Sequence, residues 1–152
     1  MHQYKDQPVV ILLVEDDPGD QELTRRAFKE SKIHSDLYIA ENGEEALDYL
    51  HRQGKYQDAE ISPWPHLILL DLNMPKINGK EFLVELRSDR LLRRIPVVVL
   101  TTSKHEEDVL RSYDLGVNSY ITKPASMDEF VRLINTLESY WFELVQLPPS
   151  GD

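Results

Sequence analysis

Glu15, Asp16 and Asp17 stand together directly after the apolar run VVILLV. Asp71 follows LILL, Thr101 and Thr102 follow VVVL, and Lys123 follows SYIT. Carboxylates, hydroxyls and one ammonium in such places are chemically complementary, provided the runs before them lie side by side. Crowded carboxylates raise one another's pKa and cannot all stay ionised unless a cation compensates. A hard divalent ion with oxygen ligands, Mg2+ with Mn2+ able to substitute, meets that need.

The elements that must position these residues are legible as alternating patterns. VVILLV (9–14), LILL (67–70) and VVVL (97–100) are continuous, β-branched or leucine-rich runs that suit strands buried on both faces. LYIA (37–40) and SYIT (119–122) supply two weaker strands. Helical patterns lie between and after them, near 18–31, 43–53, 79–88, 106–115 and 127–144. A fivefold βα alternation predicts an open, mostly parallel sheet with helices on both sides. Ligands in such sheets bind beyond the carboxyl ends of the strands, near the switch point of strand order. The candidate residues fall at those ends.

Length and composition narrow the function. The 152 residues give room for one domain, expected over 9–145, with an N-terminal extension (1–8) and a C-terminal tail (146–152). A formal net charge of -10 runs against binding a nucleic-acid backbone, which needs a basic footprint. The absence of cysteine excludes disulfides and thiol chemistry. No run approaches the length of a membrane span and MHQYKDQP lacks the core of a signal peptide, so a cytoplasmic protein away from membranes is expected.

Each candidate also has a bland reading. Asp17 before Pro18 makes a good helix cap and first turn with no metal at all. Asp71 could open a turn, Thr101 could be an ordinary strand residue, and Lys123 could be a solvated lysine. The histidines His2, His34, His51, His66 and His105 are scattered without metal spacing and read as structural or surface residues. The conjunction on successive strand ends is what favours a site.

VEDD, LLDLNMP, LTTS and YITKP, in this order and spacing, make the chain from Val9 to about Leu137 resemble the receiver domains of two-component response regulators. The resemblance implies a flavodoxin-like (βα)5 doubly wound α/β fold with strand order 2-1-3-4-5, a layout for which a chemotaxis receiver is a standing example. It implies that Asp71 is the phosphoacceptor, taking a phosphoryl group from a phosphohistidine of a sensor histidine kinase. Asp16 and Asp17 then match the acids that hold Mg2+, Asn73 the backbone-carbonyl ligand, and Glu15 a less certain contributor beside them. Lys123 and Thr101 match the phosphate contacts, and Thr101 with Tyr120 the switch pair. The Lys123-Pro124 peptide matches one that is cis in the family. Such a protein is no enzyme in the usual sense, although it assists its own Mg-dependent phosphotransfer and dephosphorylation.

Roughly 15 residues follow Leu137, which predicts a stand-alone receiver whose output is a protein contact. The last helix carries apolar residues beyond a single core-facing stripe and is expected to extend past the core. Tyr140, Trp141 and Leu144, joined by Val109, Leu110 and Tyr113 of the fourth helix, form an expected homodimer surface. The loop GKYQDAEISPWP (54–65) and the ending YWFELVQLP are similar to small regulators of bacterial and cyanobacterial phytochromes, implying a phytochrome as kinase. The alternative is a receiver-shaped scaffold that binds a partner without phosphorylation. A haloacid-dehalogenase-type phosphatase would want a second Asp where Asn73 stands, and in an FMN carrier Glu15, Asp16 and Asp17 would repel the flavin phosphate without a metal.

Overall fold

The structure is a computed structural model and describes residues 8–32, 34–72, 79–123 and 126–146, with 137–146 described by backbone only. Strands β1 (Val9–Val14), β2 (Ser35–Ala40), β3 (Leu67–Asp71), β4 (Val97–Thr101) and β5 (Ser119–Thr122) form one parallel sheet in the order β2-β1-β3-β4-β5. Helices α1 (Pro18–Glu30), α2 (Gly43–His51), α3 (Gly79–Ser88), α4 (Lys104–Arg111) and α5 (Met127–Gln146) connect and close it. This is the flavodoxin-like, doubly wound arrangement that the resemblance implies, and it agrees with the alternation.

The alternation of strand side chains divides the core in two. Leu12, Ile68, Leu70, Val97 and Val99 pack with Tyr49, Phe82, Leu86 and Leu110, so α2, α3 and α4 cover one face. Ile11, Leu13, Leu69, Val98 and Leu100 pack with Ala27, Phe28, Phe130 and Ile134, so α1 and α5 cover the other. Because both faces are covered, the central strands read as unbroken apolar runs.

Caps explain where the helices begin. Asn42 accepts the Glu45 N–H at 2.8 Å while Glu45 reaches back to the Glu41 N–H at 2.7 Å. The start of α4 repeats the device: Ser103 accepts the Glu106 N–H at 3.2 Å, and Glu106 accepts the Thr102 N–H at 2.8 Å. That cap starts α4 at Lys104, two residues before the position expected from apolar periodicity. Its end comes early too, because Asp114 (φ 50) and Gly116 (φ 70) turn left-handed.

Two features anchor the edge of the sheet where β3, β4 and β5 begin. In the long 52–66 connection, Tyr56 is buried against Tyr49 with ring centroids 5.3 Å apart, and the Tyr49 hydroxyl donates to the Pro63 carbonyl at 2.7 Å. Trp64 remains exposed. Arg87, near the end of α3, donates to the carbonyls of Leu115 (2.8 Å), Gly116 (2.9 Å) and Arg93 (2.7 Å). Burial lowers its pKa. His66 is structural, as expected: its Nδ1 accepts the Val10 N–H at 2.9 Å.

Candidate functional site

The strands end nearly flush, and this brings the candidate residues together. Val14 pairs with Ala40 and Leu70, Asp71 with Leu100, and Thr101 with Thr122. One residue beyond each pairing stand Glu15, whose N–H donates to the Ala40 carbonyl at 3.0 Å, and Lys123, whose N–H donates to the Thr101 carbonyl at 2.7 Å. Glu15, Asp71 and Thr101 are 1%, 3% and 0% exposed, so this strand edge carries three buried polar side chains.

Carboxylate oxygens of Glu15, Asp16 and Asp71 lie within 4.8 Å of one another. Lys123 Nζ faces the group, 3.3 Å from Glu15 Oε1, 3.4 Å from Asp71 Oδ1 and 3.1 Å from Asp20 Oδ2. One ammonium does not neutralise so many acids. Burial, the charge of Asp71 and a hydrogen bond to Asp71 push the Glu15 carboxyl up to about 8, against the opposing pull of Lys123. Burial alone would lower the Lys123 pKa, but the charges of Asp71, Glu15 and Asp20 outweigh it and raise it. A carboxyl that must hold a proton near neutrality marks a place where a cation fits, and an all-oxygen donor set suits a hard divalent ion.

The structure revises the expectation for Asp17. Asp17 does not join the cluster: its Oδ2 accepts the Asp20 N–H at 2.8 Å, capping α1 ahead of Pro18. Glu15 takes the place beside Asp16 that the sequence reading gave to Asp17. The physical reason is local, since Pro18 fixes the first helical turn and leaves Asp17 as its cap.

Thr101 presents a different anomaly. Among the described residues, its Oγ1 is the one buried side-chain polar atom without a hydrogen-bond partner. A buried hydroxyl left unsatisfied costs free energy. Thr102, by contrast, is exposed.

Tyr120 lies on β5, half-buried against the core on the α2–α4 face, with the Arg111 guanidinium 4.2 Å from its ring centroid. Of the expected dimer residues, Val109 and Tyr113 are 46% and 49% exposed. Leu110 is a correction: at 2% exposure it belongs to the core beneath α4, because helical spacing turns it inward while Val109 turns out. Asn73, the Lys123-Pro124 peptide and the side chains of Tyr140, Trp141 and Leu144 lie outside the described residues.

Sequence reasoning missed Asp20 and Gln21. Asp20 is a third carboxylate on Lys123, and Gln21 Nε2 donates to the Glu15 carbonyl at 2.7 Å. The signal was available in their offset from Asp17, which places both in the first turn of α1 and facing back over the strand end.

Comparison with known proteins agrees with this geometry. The family model described as the response regulator receiver domain matches residues 11–135. Response regulator Rcp1 of Synechocystis sp. is 47% identical over 141 residues, which cover 93% of this chain and 94% of Rcp1. The crystal structure of Rcp1 in its Mn(2+)-bound form superposes with a TM-score of 0.76 at 48% identity, covering 93% of this chain and 99% of that one. The phosphorylated cyanobacterial phytochrome response regulator RcpA does so with a TM-score of 0.79 at 41% identity, covering 95% and 100%. With the family matched over most of its length and a flush edge of acids, hydroxyl and lysine to go with it, this chain belongs to the response regulator receiver domain family.

Proposed function

We propose that Asp71 accepts a phosphoryl group from a phosphohistidine of a sensor histidine kinase, and that the modified domain signals by a change of shape and association. Similarity to RcpA, a phytochrome response regulator, points to a phytochrome as that kinase. One observation carries the reading. Asp71 is buried at a strand end that has carboxylates beside it, an ammonium 3.4 Å away and an unpartnered hydroxyl at the next strand end.

Each residue then has a physical task. An oxygen of the Asp71 carboxylate forms a bond to phosphorus as the phosphorus–nitrogen bond to the donor imidazole breaks, and the imidazole leaves with that electron pair. Glu15, Asp16 and Asp71 would hold Mg2+, with the carbonyl of Asn73 as a further ligand by resemblance. When bound, the cation neutralises phosphoryl oxygens that the acids would otherwise repel. Lys123 exchanges its contacts with Asp71 and Glu15 for contacts with the incoming phosphoryl oxygens, as a compact, mobile positive charge can. Thr101 offers its Oγ1 to the same group, which satisfies the hydroxyl and draws it toward Asp71. Tyr120 follows into the space Thr101 leaves, and the face formed by α4, β5 and α5 changes with it.

Intact mass after incubation with acetyl phosphate tests the reading. The expected result is one phosphoryl adduct that requires Mg2+ and is lost in Asp71→Asn. A folded protein that gains no adduct with either acetyl phosphate or a phosphorylated kinase would instead be a scaffold that binds without phosphorylation.

A further inference from the structure

We propose that Arg111 is the latch of the switch. Its guanidinium ties the Tyr120 ring to Glu107 and keeps α4 in its resting position until Asp71 is phosphorylated. The inference rests on the reading of Tyr120 as the residue that moves.

The attachment of α4 is unusually thin. The helix has eight residues, KHEEDVLR, and Leu110 is its one buried apolar side chain. An isolated helix of that length does not hold itself together in water, so contacts to the body of the domain must retain it. Its charged side chains are tied to one another along the helix. Arg111 Nε donates to Glu107 Oε2 at 2.7 Å, Lys104 Nζ reaches the same oxygen at 3.3 Å, and Glu107 is largely buried. The same guanidinium stands 4.2 Å from the centroid of Tyr120, a residue of a different element. Arg111 is thus the side chain that joins α4 to the aromatic of β5. A planar guanidinium over a ring is a favourable and orientation-dependent contact. A second strap lies just beyond the helix, where Lys80 Nζ of α3 sits 3.7 Å from the centroid of Tyr113.

Movement of the Tyr120 ring toward Thr101 removes the surface on which Arg111 rests. Glu107 then loses the orientation of its partner, and α4 keeps little beyond Leu110. Segments held by so few buried contacts open at low free-energy cost. Linkage requires the converse: weakening the latch favours the arrangement that phosphorylation selects.

Two readouts test this on the whole chain, namely the rate of adduct formation from acetyl phosphate with Mg2+, and amide hydrogen exchange over 104–111. Arg111→Ala is expected to form the adduct about two- to fivefold faster, the factor that loss of one partly exposed cation–π contact allows. Its unphosphorylated α4 should exchange as fast as that of the phosphorylated wild type. Arg111→Lys should restore part of both effects. Lys80→Ala should speed exchange in α4 and leave the adduct rate unchanged, which separates a latch on the switch from mere fraying of the helix. Arg111→Ala combined with Tyr120→Leu should add nothing to Tyr120→Leu alone. A wild-type α4 that does not respond to acetyl phosphate would overturn the Tyr120 reading and the latch with it. A responsive wild type beside an Arg111→Ala variant unchanged in both readouts would overturn the latch alone.

Discussion

Glu15 carries the electrostatic conflict of the site. Its carboxyl is raised from an ordinary 4.5 to about 8, so between those values the folded chain holds a proton that the unfolded chain has released. The sign follows: the stability of the metal-free protein falls as pH rises across that window and levels off above about 8. Mg2+ competes with the same proton, so its affinity should rise with pH and the slope in stability should flatten when the ion is present. Urea midpoints from about pH 5 to pH 9, with and without Mg2+, measure both effects. Glu15→Gln should remove the slope and weaken Mg2+ binding. Asp71, Thr101 and Lys123 were legible in the sequence because strand ends announce themselves. The choice between Asp16–Asp17 and Glu15–Asp16 was not, because Asp is equally at home as a metal ligand and as a helix cap. The Asp20 N–H that Asp17 accepts in the first turn of α1 separates the two uses.

At the scale of elements, the start of α3 packs closely against the end of β3. A Cβ on Gly79 would lie 2.9 Å from both the Cα and the carbonyl oxygen of Leu72, the neighbour of Asp71. Backbone cannot yield as a side chain can, so Gly79→Ala should destabilise the fold by about 1–3 kcal/mol. It should also slow phosphorylation by displacing Leu72, an effect readable as adduct formation in protein confirmed to be folded. The five strands and five α-helices of the described residues were legible from apolar runs and helical periodicity. The limits of α4 were not. Its start is fixed by the Ser103 cap and its end by left-handed residues, and neither leaves a trace in hydrophobic spacing.

For the whole molecule, the two-faced core and flush strand ends put all of the proposed chemistry on one edge of the sheet. Association is proposed to use the face that carries Val109 and Tyr113, which are exposed beside the Arg111–Tyr120 contact. A homodimer through this face should strengthen on phosphorylation, and light scattering at several concentrations, with and without acetyl phosphate and Mg2+, checks it. A strict monomer in both states would rule it out. Which side chains join that face could not be read from sequence, because Val109 and Leu110 are both apolar and adjacent, and only helix orientation decides which is buried. Mg2+ should also stabilise the fold, by about 2.7 kcal/mol at a hundredfold excess over its dissociation constant. Asp16→Ala should lose most of that gain in a thermal melt.

Arg87 gives the opposite edge a different character. One guanidinium grips the carbonyls of the α4–β5 loop and of the turn before β4, so the heels of β4 and β5 share a single rivet. Strands pinned at the heel cannot slide past one another. Motion begun at Thr101 is left with tilt as its outlet, and tilt is largest at the end away from the rivet, where Thr101 pairs with Thr122.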